Sequence, residues 1–500
     1  MHGSRPLRVR TLRLAAVAAV VAGLACTEET VIFRDREPFN PPPDGAAGFL
    51  GYFDPGTKLT TCGNCHVGPQ GQWENTAHAG ALQTLVASGS GQDFCVPCHS
   101  VNDQGNSIAV AAGFNAVPDS TLYGDVQCES CHGPGLEHVS VDPGATQPIP
   151  GIDLGAGLDQ NCAECHTGTH HPFAEEWATS GHAIIRDSPV GRADCQGCHR
   201  GQQALARFDA DAVYTELDVV EHQPITCAVC HDPHNGQFAG QLRRPVDTND
   251  LTEHLCAQCH NRRTVPDPGS SHGLEPHAPE ADLLLGEAGW FPPNSSIEQG
   301  RIIASHGSEG NERLCATCHL AMFEVTDEET GDFVINVVGH SFRAIPCVDG
   351  NGTPLSPQPD TCGLTTDDRA FAGCTAAQGC HLTEGVASGL ILVASTEIES
   401  FADELIAQLE QVDANLEDAG GEIDGTNPTF TVAEGAFFNY HLAIFGGSTL
   451  GAAAHNPFLV RAQLLASQQA VEDEYGVSPA SPKDYEAEIQ AVLARLRNHQ

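Results

Sequence analysis

Cysteine–histidine motifs are the residues of this 500-residue sequence whose spacing could do chemistry. Two thiols three positions apart can bond the two vinyl groups of one haem, and a His at the next position then lies under the iron as proximal ligand. Zinc and redox Cys-x-x-Cys sites do not require that His. Eight copies of Cys-x-x-Cys-His therefore predict eight molecules of haem c. The copies are Cys62/Cys65/His66, Cys95/Cys98/His99, Cys128/Cys131/His132, Cys162/Cys165/His166, Cys195/Cys198/His199, Cys227/Cys230/His231, Cys256/Cys259/His260 and Cys315/Cys318/His319.

A stretched version of the motif follows further along the chain. Cys374 lies six positions before Cys380, which precedes His381. We expect a ninth haem at this Cys-x5-Cys-His segment, and the alternative is a structural disulfide. Cys347 and Cys362 have no His neighbour, and we expect them to form a disulfide in an oxidising compartment.

The second axial ligand of each haem is expected to be histidine. The sequence has 25 His and only two Met, of which Met322 alone lies beyond the N-terminal region. Paired His ligands imply low reduction potentials, because a Met/His pair raises them. The predicted distal ligands are His78, His138, His182, His222, His234, His277, His306, His340 and His455. Left out of this set are His254 and one of His170 and His171, as solvated loop residues, and His272 and His441, as undecided.

The elements that position these motifs repeat along the chain. The first Cys of the first three motifs recurs in the next three at offsets of 100, 100 and 99 residues. Trp73-x4-His78 and Trp177-x4-His182 repeat as well, which indicates an internal duplication. We expect a multihaem domain at residues 56–345 and a Cys-rich segment with the ninth haem at 346–381. Each motif should form a short helix joined by Gly/Pro loops.

A helical unit is expected at residues 382–500, where the Cys motifs stop and a helical apolar period begins. The predicted fold is mostly α plus irregular loops, with a haem-packed core and this C-terminal helical unit. His455 should open a helix. Helices are expected from Thr396 to Gly420-Gly421, from Thr431, from Asn456-Pro457 to about Tyr475, and from Ser481-Pro482.

The pattern of residues 1–25 predicts an N-terminal export signal. A basic start precedes the apolar run Leu14 to Ala25, which is too short to span a bilayer, and no other segment approaches the required length. The run ends in Gly23-Leu24-Ala25-Cys26, which resembles a bacterial lipoprotein cleavage site. We expect a lipid on Cys26 and a tether at residues 26–55, and an ordinary signal peptide is the alternative.

The formal net charge of −42 argues against partners that bind to a positively charged protein surface. Nucleic acid and anionic membrane surfaces are such partners. We therefore expect an exported protein, periplasmic or anchored to the outer membrane as a lipoprotein. Its partners would be other redox proteins of the cell envelope, and it would touch a membrane only through Cys26. The oligomeric state stays open.

Residues 56–475 resemble the multihaem cytochrome lineage that contains cytochrome c554, hydroxylamine oxidoreductase and pentahaem nitrite reductase. The eight motifs, the segment Cys128 to His138, the two Trp-x4-His elements and Gly451 to Pro457 carry this resemblance. In that lineage a segment similar to Gly451–Pro457 supplies a distal His, which implies that role for His455. The Cys-x-x-Cys-Lys motif of the nitrite reductases is absent from the sequence.

The motifs predict electron transfer through a chain of mainly bis-His haems, with no catalytic residue assigned. The alternative is an enzyme that reduces nitrite, hydroxylamine or a related compound at one haem with an open distal face. A polymeric cytochrome filament is a third possibility. The surplus of His and the missing Lys-ligated haem favour electron transfer.

Overall fold

The computed structural model describes residues 47–499, with gaps at 107, 119, 141–146, 149, 151–160, 210–220, 269–271, 360, 376–379, 415–420, 426, 428 and 480–481. The predicted export signal, Cys26 and most of the predicted tether lie outside the described residues.

The described chain is mostly helical with irregular loops, which confirms the predicted fold class. Its α-helices are α1 Val67–Trp73, α2 Ala81–Ser88, α3 Gly113–Ala116, α4 Cys128–His132, α5 Leu136–Ser140, α6 Cys162–Cys165, α7 Phe173–Ala178, α8 Asp187–Val190, α9 Ala193–His199, α10 Gly201–Phe208, α11 Cys227–Cys230, α12 Glu280–Leu284, α13 Cys315–His319, α14 Ala372–Thr375, α15 Glu384–Val412, α16 Val432–Ala443, α17 Leu450–His455, α18 Pro457–Tyr475 and α19 Tyr485–His499. The 3₁₀ helices are Cys62–Asn64, Ala77–Gly80, Asp93–His99, Thr121–Tyr123, Gly181–Ala183, Ala239–Gln241, Cys256–Gln258, Ser305–Gly307 and Phe445–Gly447.

Strands form two small antiparallel pairs. Strand β1, Tyr52–Asp54, pairs with β2, Leu59–Thr60. Strand β3, Phe323–Thr326, pairs with β4, Phe333–Val337, just after the eighth motif.

Each of the eight regular motifs folds as one short helical turn, as expected. In the first motif the backbone N–H of His66 donates to the carbonyl of Cys62 at 2.9 Å, and the fourth and sixth motifs have the same bond at the same length. Because side chains three and four positions apart share a helix face, this turn presents both thiols and the imidazole on one side.

Equivalent contacts support the predicted duplication. The indole N–H of Trp73 donates to the carbonyl of Val126 at 2.9 Å, and that of Trp177 donates to Ile225 at 2.8 Å. The N–H groups of Val126 and Ile225 in turn donate to the carbonyls of His78 and His182, respectively. Each Trp-x4-His element is thereby bonded to the residue two positions before the third motif of its repeat.

The C-terminal helices agree with the sequence at some boundaries and differ at others. Thr431 and Glu434 form the predicted capping box, and α18 ends at Gly476 in the left-handed conformation. The predicted start of the first helix at Thr396 is wrong. Helix α15 begins after Thr383, whose side chain accepts the N–H of Val386. The N-cap of this helix is therefore Thr383, and the apolar residues between Thr383 and Thr396 are part of the helix.

Two other boundaries are also corrected. Residue His455 ends α17 instead of opening a helix, and Asn456 then caps α18 by accepting the N–H of Leu459. Helix α19 begins at Tyr485, later than the predicted Ser481.

Helix α15 is long and apolar enough to cross a membrane by length and composition, contrary to the expectation that no other segment approaches that length. Its C-terminal half is part of a protein core, because Ile398, Leu405 and Leu409 are fully buried. It packs against α18, which also packs against α16 and α19.

Candidate haem sites

The eight regular motifs and the predicted ninth are called sites 1 to 9 in chain order. Their predicted proximal histidines are His66, His99, His132, His166, His199, His231, His260, His319 and His381, respectively.

Eight of the nine proximal rings face a second histidine ring. The pairs and the distances between ring centres are His66 with His138 at 6.3 Å, His166 with His78 at 6.1 Å, His132 with His234 at 6.1 Å, His260 with His182 at 6.2 Å, His199 with His277 at 5.9 Å, His231 with His340 at 6.2 Å, His381 with His306 at 6.1 Å and His319 with His455 at 6.1 Å. Two imidazoles on opposite sides of one metal ion have centres roughly 6 Å apart, since each metal–nitrogen bond is about 2 Å. The spacing of all eight pairs therefore fits one iron between the two rings.

Hydrogen bonds at Nδ1 leave the other ring nitrogen free for a metal. The Nδ1 of His132 donates to the carbonyl of Pro148 at 2.7 Å, and that of His319 donates to Phe342 at 2.8 Å. A carbonyl can only accept, so these bonds fix the tautomer that has its lone pair on Nε2. Nδ1 bonds of the same kind are made by His99, His231, His306, His340 and His455.

Burial keeps several of these rings neutral, as metal ligation requires. Desolvation, together with neighbouring histidines, lowers the pKa of His166, His182 and His455 to about 4. His260 differs, because its Nδ1 lies 3.5 Å from a carboxylate oxygen of Glu280, and this contact raises its pKa. A carboxylate on the far nitrogen of a ligating His orients the ring and increases its basicity.

Two distal histidines are held by buried polar residues. Glu176 of α7 accepts the backbone N–H of Val338 at 2.8 Å and of His340 at 2.6 Å, which holds the loop that carries His340. Asn456 is fully buried and donates to the carbonyl of Ile302 at 2.8 Å. This bond ties the end of α17, and with it His455, to the segment before site 8.

The structure brings eight of the nine predicted distal histidines to a proximal ring, and ligation itself stays a prediction. The exception is His222. Among the described residues no proximal ring faces it, and its Nδ1 is buried without a hydrogen-bond partner. His222 lies just after the undescribed residues 210–220. It was predicted to be a ligand only because it precedes a motif.

Site 2 is the site without such a ring pair among the described residues. The Nδ1 of His99 donates to the carbonyl of Ala81 at 2.9 Å, and the histidine that interacts with His99 electrostatically is His171. One of His170 and His171 was expected to be a solvated loop residue. The structure separates them, because His170 stacks on Phe333 with ring centres 4.5 Å apart. The two adjacent histidines that follow site 4 were the sequence feature from which His171 could have been chosen as the candidate for site 2.

Two further histidines lie in protein interiors. His254 is fully buried, which corrects the expectation of a solvated loop residue, and its Nδ1 accepts the N–H of Cys256 at 3.2 Å. The donor atoms of His254, Cys256 and Cys315 lie within 4.8 Å of one another, close enough to hold a metal ion. Both cysteines belong to haem motifs, which accounts for the cluster. His441 packs against the ring of Phe437 at 4.4 Å inside α16.

Comparisons with known proteins agree with the haem-attachment motifs. The family model for cytochrome c554 and c-prime matches residues 61–133, and a doubled CXXCH model matches residues 219–264. The multiheme cytochrome MtrA of Shewanella baltica is 26% identical over 200 residues, which cover 36% of this chain and 55% of the relative. The C-type polyheme cytochrome OmcB of Geobacter sulfurreducens is 30% identical over 207 residues, 34% of this chain and 25% of the relative. No solved structure matches the chain.

The chain is a multihaem c-type cytochrome. The match over residues 61–133 covers sites 1 to 3 and confirms the predicted resemblance to cytochrome c554 there. The matched regions span about half of MtrA and a quarter of OmcB.

In this cytochrome the thiols of different sites contact one another. Closely approaching sulfur atoms join sites 1 and 3 through Cys62 and Cys128, sites 2 and 4 through Cys98 and Cys165, sites 4 and 6 through Cys162 and Cys227, sites 5 and 7 through Cys198 and Cys259, and sites 7 and 8 through Cys256 and Cys315. Electrostatic proximity joins sites 3 and 4 through Cys131 and Cys162, sites 6 and 7 through Cys230 and Cys256, and sites 8 and 9 through Cys318 and Cys380.

Cys65, the second thiol of site 1, departs from the expected haem-packed core. Its side chain is exposed to solvent, whereas Cys62 of the same site is partly buried and contacts Cys128. The backbone N–H of Cys65 donates to the carbonyl of Cys62 at 3.1 Å, so the turn of the motif is intact. Cys131, Cys162 and Cys380 are exposed as well, so an exposed thiol is not confined to the end of the row. Attachment of haem at Cys65 stays a prediction that rests on the motif.

The imidazoles repeat five of these eight links. Ring interactions link sites 1 and 3, 4 and 6, 5 and 7, 7 and 8, and 8 and 9, through His66 with His132, His166 with His231, His199 with His260, His182 with His319, and His306 with His455. Adding three to the site numbers in the links 1–3, 2–4 and 3–4 produces the links 4–6, 5–7 and 6–7. The contacts between sites thus show the same repetition as the predicted internal duplication of the sequence.

Site 9 resembles the regular sites despite its longer spacer. The N–H of His381 approaches the carbonyl of Cys374 at 3.3 Å, the same bond that closes the regular motifs. The thiol of Cys374 lies near those of Cys380 and Cys318. Cys347 and Cys362 form the predicted disulfide, with Cα atoms 6.2 Å apart, so neither competes for the thiols of site 9.

Proposed function

We propose that this cytochrome conducts electrons through nine mainly bis-His, low-potential haem sites in the cell envelope. The observation that carries the proposal is the pairing of eight proximal rings with second histidines at 5.9 to 6.3 Å. Occupied axial positions leave no place for a substrate, so such sites suit electron transfer more than catalysis.

The contacts between sites support a continuous route. Sites 1, 3, 4, 6, 7, 8 and 9 follow one another by thiol contacts, while site 2 adjoins site 4 and site 5 adjoins site 7. Bound haem supplies reversible one-electron chemistry at each site. The protein's part is to hold the attachment points in contact and to fix both axial ligands.

Methionine ligation is disfavoured by the arrangement at site 8. Met322 is three residues beyond His319, but its side chain is 62% exposed, and the ring that faces His319 belongs to His455. Since paired imidazoles give lower potentials than a Met/His pair, we infer low potentials throughout the array.

The proposal includes export from the cytoplasm and electron exchange with other redox proteins. The signal at residues 1–25 and the lipid on Cys26 would place the protein in the periplasm or on the outer membrane, where it would exchange electrons with other redox proteins. The relatives MtrA and OmcB are likewise named as multiheme and polyheme cytochromes. We expect a Cys26→Ser protein to leave the membrane fraction, and its retention there would refute lipidation.

Haem number and ligation test the proposal directly. We expect nine haems by intact mass, eight in the Cys374→Ala/Cys380→Ala double variant, and nine in the matched Cys347→Ala/Cys362→Ala control. Low-temperature EPR of the oxidised protein should be dominated by low-spin bis-His signals. Stoichiometric high-spin signals from several sites would refute the electron-conduit proposal.

A second candidate function rests on site 2 alone. His99 has no facing ring of the kind seen at the other sites among the described residues, and His171 is its neighbouring histidine. An open distal face there would suit reduction of nitrite or hydroxylamine. One high-spin haem that is lost in His99→Ala and shifts on adding either compound would support it.

A further inference from the structure

We propose that site 5 is a lateral port at which a small, polyanionic electron carrier exchanges electrons with the array. The proposal rests on the conduit function above. One electron passes between the carrier and the site in either direction, and no covalent bond forms or breaks. Two features carry it: the branch position of site 5 and the arginines around it.

Site 5 is a branch of the row of sites. Its thiol Cys198 contacts Cys259 of site 7, and its proximal His199 interacts with His260 of the same site. Among the described residues, no thiol or imidazole of a third site contacts it. The row continues from site 6 through site 7 to site 8 without it. An electron that enters at site 5 therefore passes into the row through site 7.

Arginines surround site 5 on several sides. The guanidinium of Arg207 donates to the sulfur of Cys198 at 3.4 Å, and Arg262 acts on the same thiol. On the proximal side Arg186 acts on His199.

The distal side is also cationic. Arg263 and Arg262 act on His277, and Arg192 lies close enough to act on Arg263. Carboxylates offset part of this charge, since Arg192 is paired with Asp194 at 3.4 Å and Arg263 lies near Glu275. Arg186, Arg192, Arg207 and Arg262 are exposed to solvent.

This cluster contrasts with the rest of the protein. The chain has 23 Lys and Arg against 65 Asp and Glu, and five of those cations adjoin one site. Site 2, the equivalent branch of the other repeat, has the opposite environment, since the charged group that acts on its thiol Cys98 is Glu164. The duplication therefore does not account for the arginines.

The size of the partner follows from the same charges. A protein partner covers roughly 800 Å² of surface on each side. An acidic protein of that size would also meet repulsion from carboxylates beyond the arginines, since the chain has 65 Asp and Glu against 23 Lys and Arg. A small anion senses charges within about 8 Å at physiological salt, where the arginines dominate.

The experiment compares the triple variant Arg186→Gln/Arg207→Gln/Arg262→Gln of the full holoprotein with an Arg301→Gln/Arg495→Gln control. Arg301 and Arg495 are exposed cations paired with Glu298 and Glu397, respectively. The first readout is binding of hexacyanocobaltate(III), a redox-inert trianion, to the oxidised protein by calorimetry. The second is the rate of oxidation of the reduced protein by ferricyanide and by a cationic complex, hexaammineruthenium(III).

We expect the triple variant to bind the trianion more weakly and to react with ferricyanide at least about tenfold more slowly at low salt, because electrostatic steering changes association rates by 10- to 1,000-fold. The control should match the wild type, and the cationic oxidant should react no more slowly. Unchanged trianion binding combined with a lower potential of site 5 would overturn the proposal, since the arginines would then serve the haem itself. Bis-His EPR signals report on the conduit function separately.

Discussion

Glu129 provides a test of how a buried carboxyl controls the segment around site 3. It lies between the two cysteines of that site, and its side chain is 3% exposed. Its carboxylate accepts the N–H groups of Leu50 at 2.8 Å, Gly51 at 2.7 Å and Gly135 at 2.7 Å. Burial raises the pKa of Glu129 from 4.5 to about 7, although these hydrogen bonds act to lower it.

The raised pKa makes local stability depend on pH in a defined direction. The unfolded segment loses the proton of Glu129 near pH 4.5, while the folded one keeps it until about pH 7. Stability is therefore highest below pH 4.5 and falls as the pH rises to about 7. At about 1.4 kcal/mol per pH unit, the loss amounts to about 3 kcal/mol.

The substitution Glu129→Gln should abolish this pH dependence, because the amide does not titrate. It should also lower stability at pH 5, because the amide NH₂ would face the three N–H donors. Hydrogen exchange of the Leu50 and Gly51 amides between pH 5 and 8, corrected for intrinsic rates, measures the local free energy of opening. Glu328→Gln, at an exposed acid in the turn before β4, is the control. Equal pH slopes in wild type and Glu129→Gln would refute the reasoning.

Three further changes test ligation and the helical unit. Glu280→Gln removes the carboxylate from His260 and should raise the potential of site 7 in a redox titration, by about 40 mV per kcal/mol of interaction lost on oxidation; an unchanged potential would contradict the contact. His455→Met should raise the potential of site 8 and remove one bis-His EPR signal, and nine unaltered signals would exclude His455 as a ligand. Thr431→Ala should destabilise the helical unit by about 1 kcal/mol in denaturant, with Thr431→Ser as the conservative control.

The sequence predicted attachment chemistry better than spatial arrangement. Cys-x-x-Cys-His spacing is decided within one helical turn, so the local motif was sufficient. Pairing is different, because the ring that faces His166 belongs to His78 and the one that faces His260 belongs to His182. Such partners depend on how loops far apart in sequence return to each other.

Errors in the sequence analysis have identifiable causes. A capping-box pattern at Thr396 predicted a helix start, but the apolar stretch before it continues the helix back to the cap at Thr383. His222 was favoured because it precedes a motif, a position that carries no information on distance to another haem. One of His170 and His171 was expected to be a solvated loop residue, and which one could not be decided, because only tertiary packing determines which of two adjacent histidines approaches another ring.

The distribution of apolar core shows which parts of the protein depend on haem. The described residues contain one cluster of 29 buried apolar residues, built from α15 to α19 and segments near α12. The clusters around sites 1 to 7 have only three or four members each. Buried apolar area is the main driving force for folding, so the small clusters supply too little of it. Haem must provide the remaining contacts.

This difference leads to a last prediction. Protein made without haem attachment should lose hydrogen-exchange protection around sites 1 to 7, where each paired ring joins distant segments. Amides of α16 and α18 should stay protected, because Phe437 and Leu464 pack in a core that contains no attachment site. A matched sample with attached haem sets the reference protection. Equal loss of protection in both regions would show that the helical unit also needs haem, and that the two parts fold as one cooperative unit.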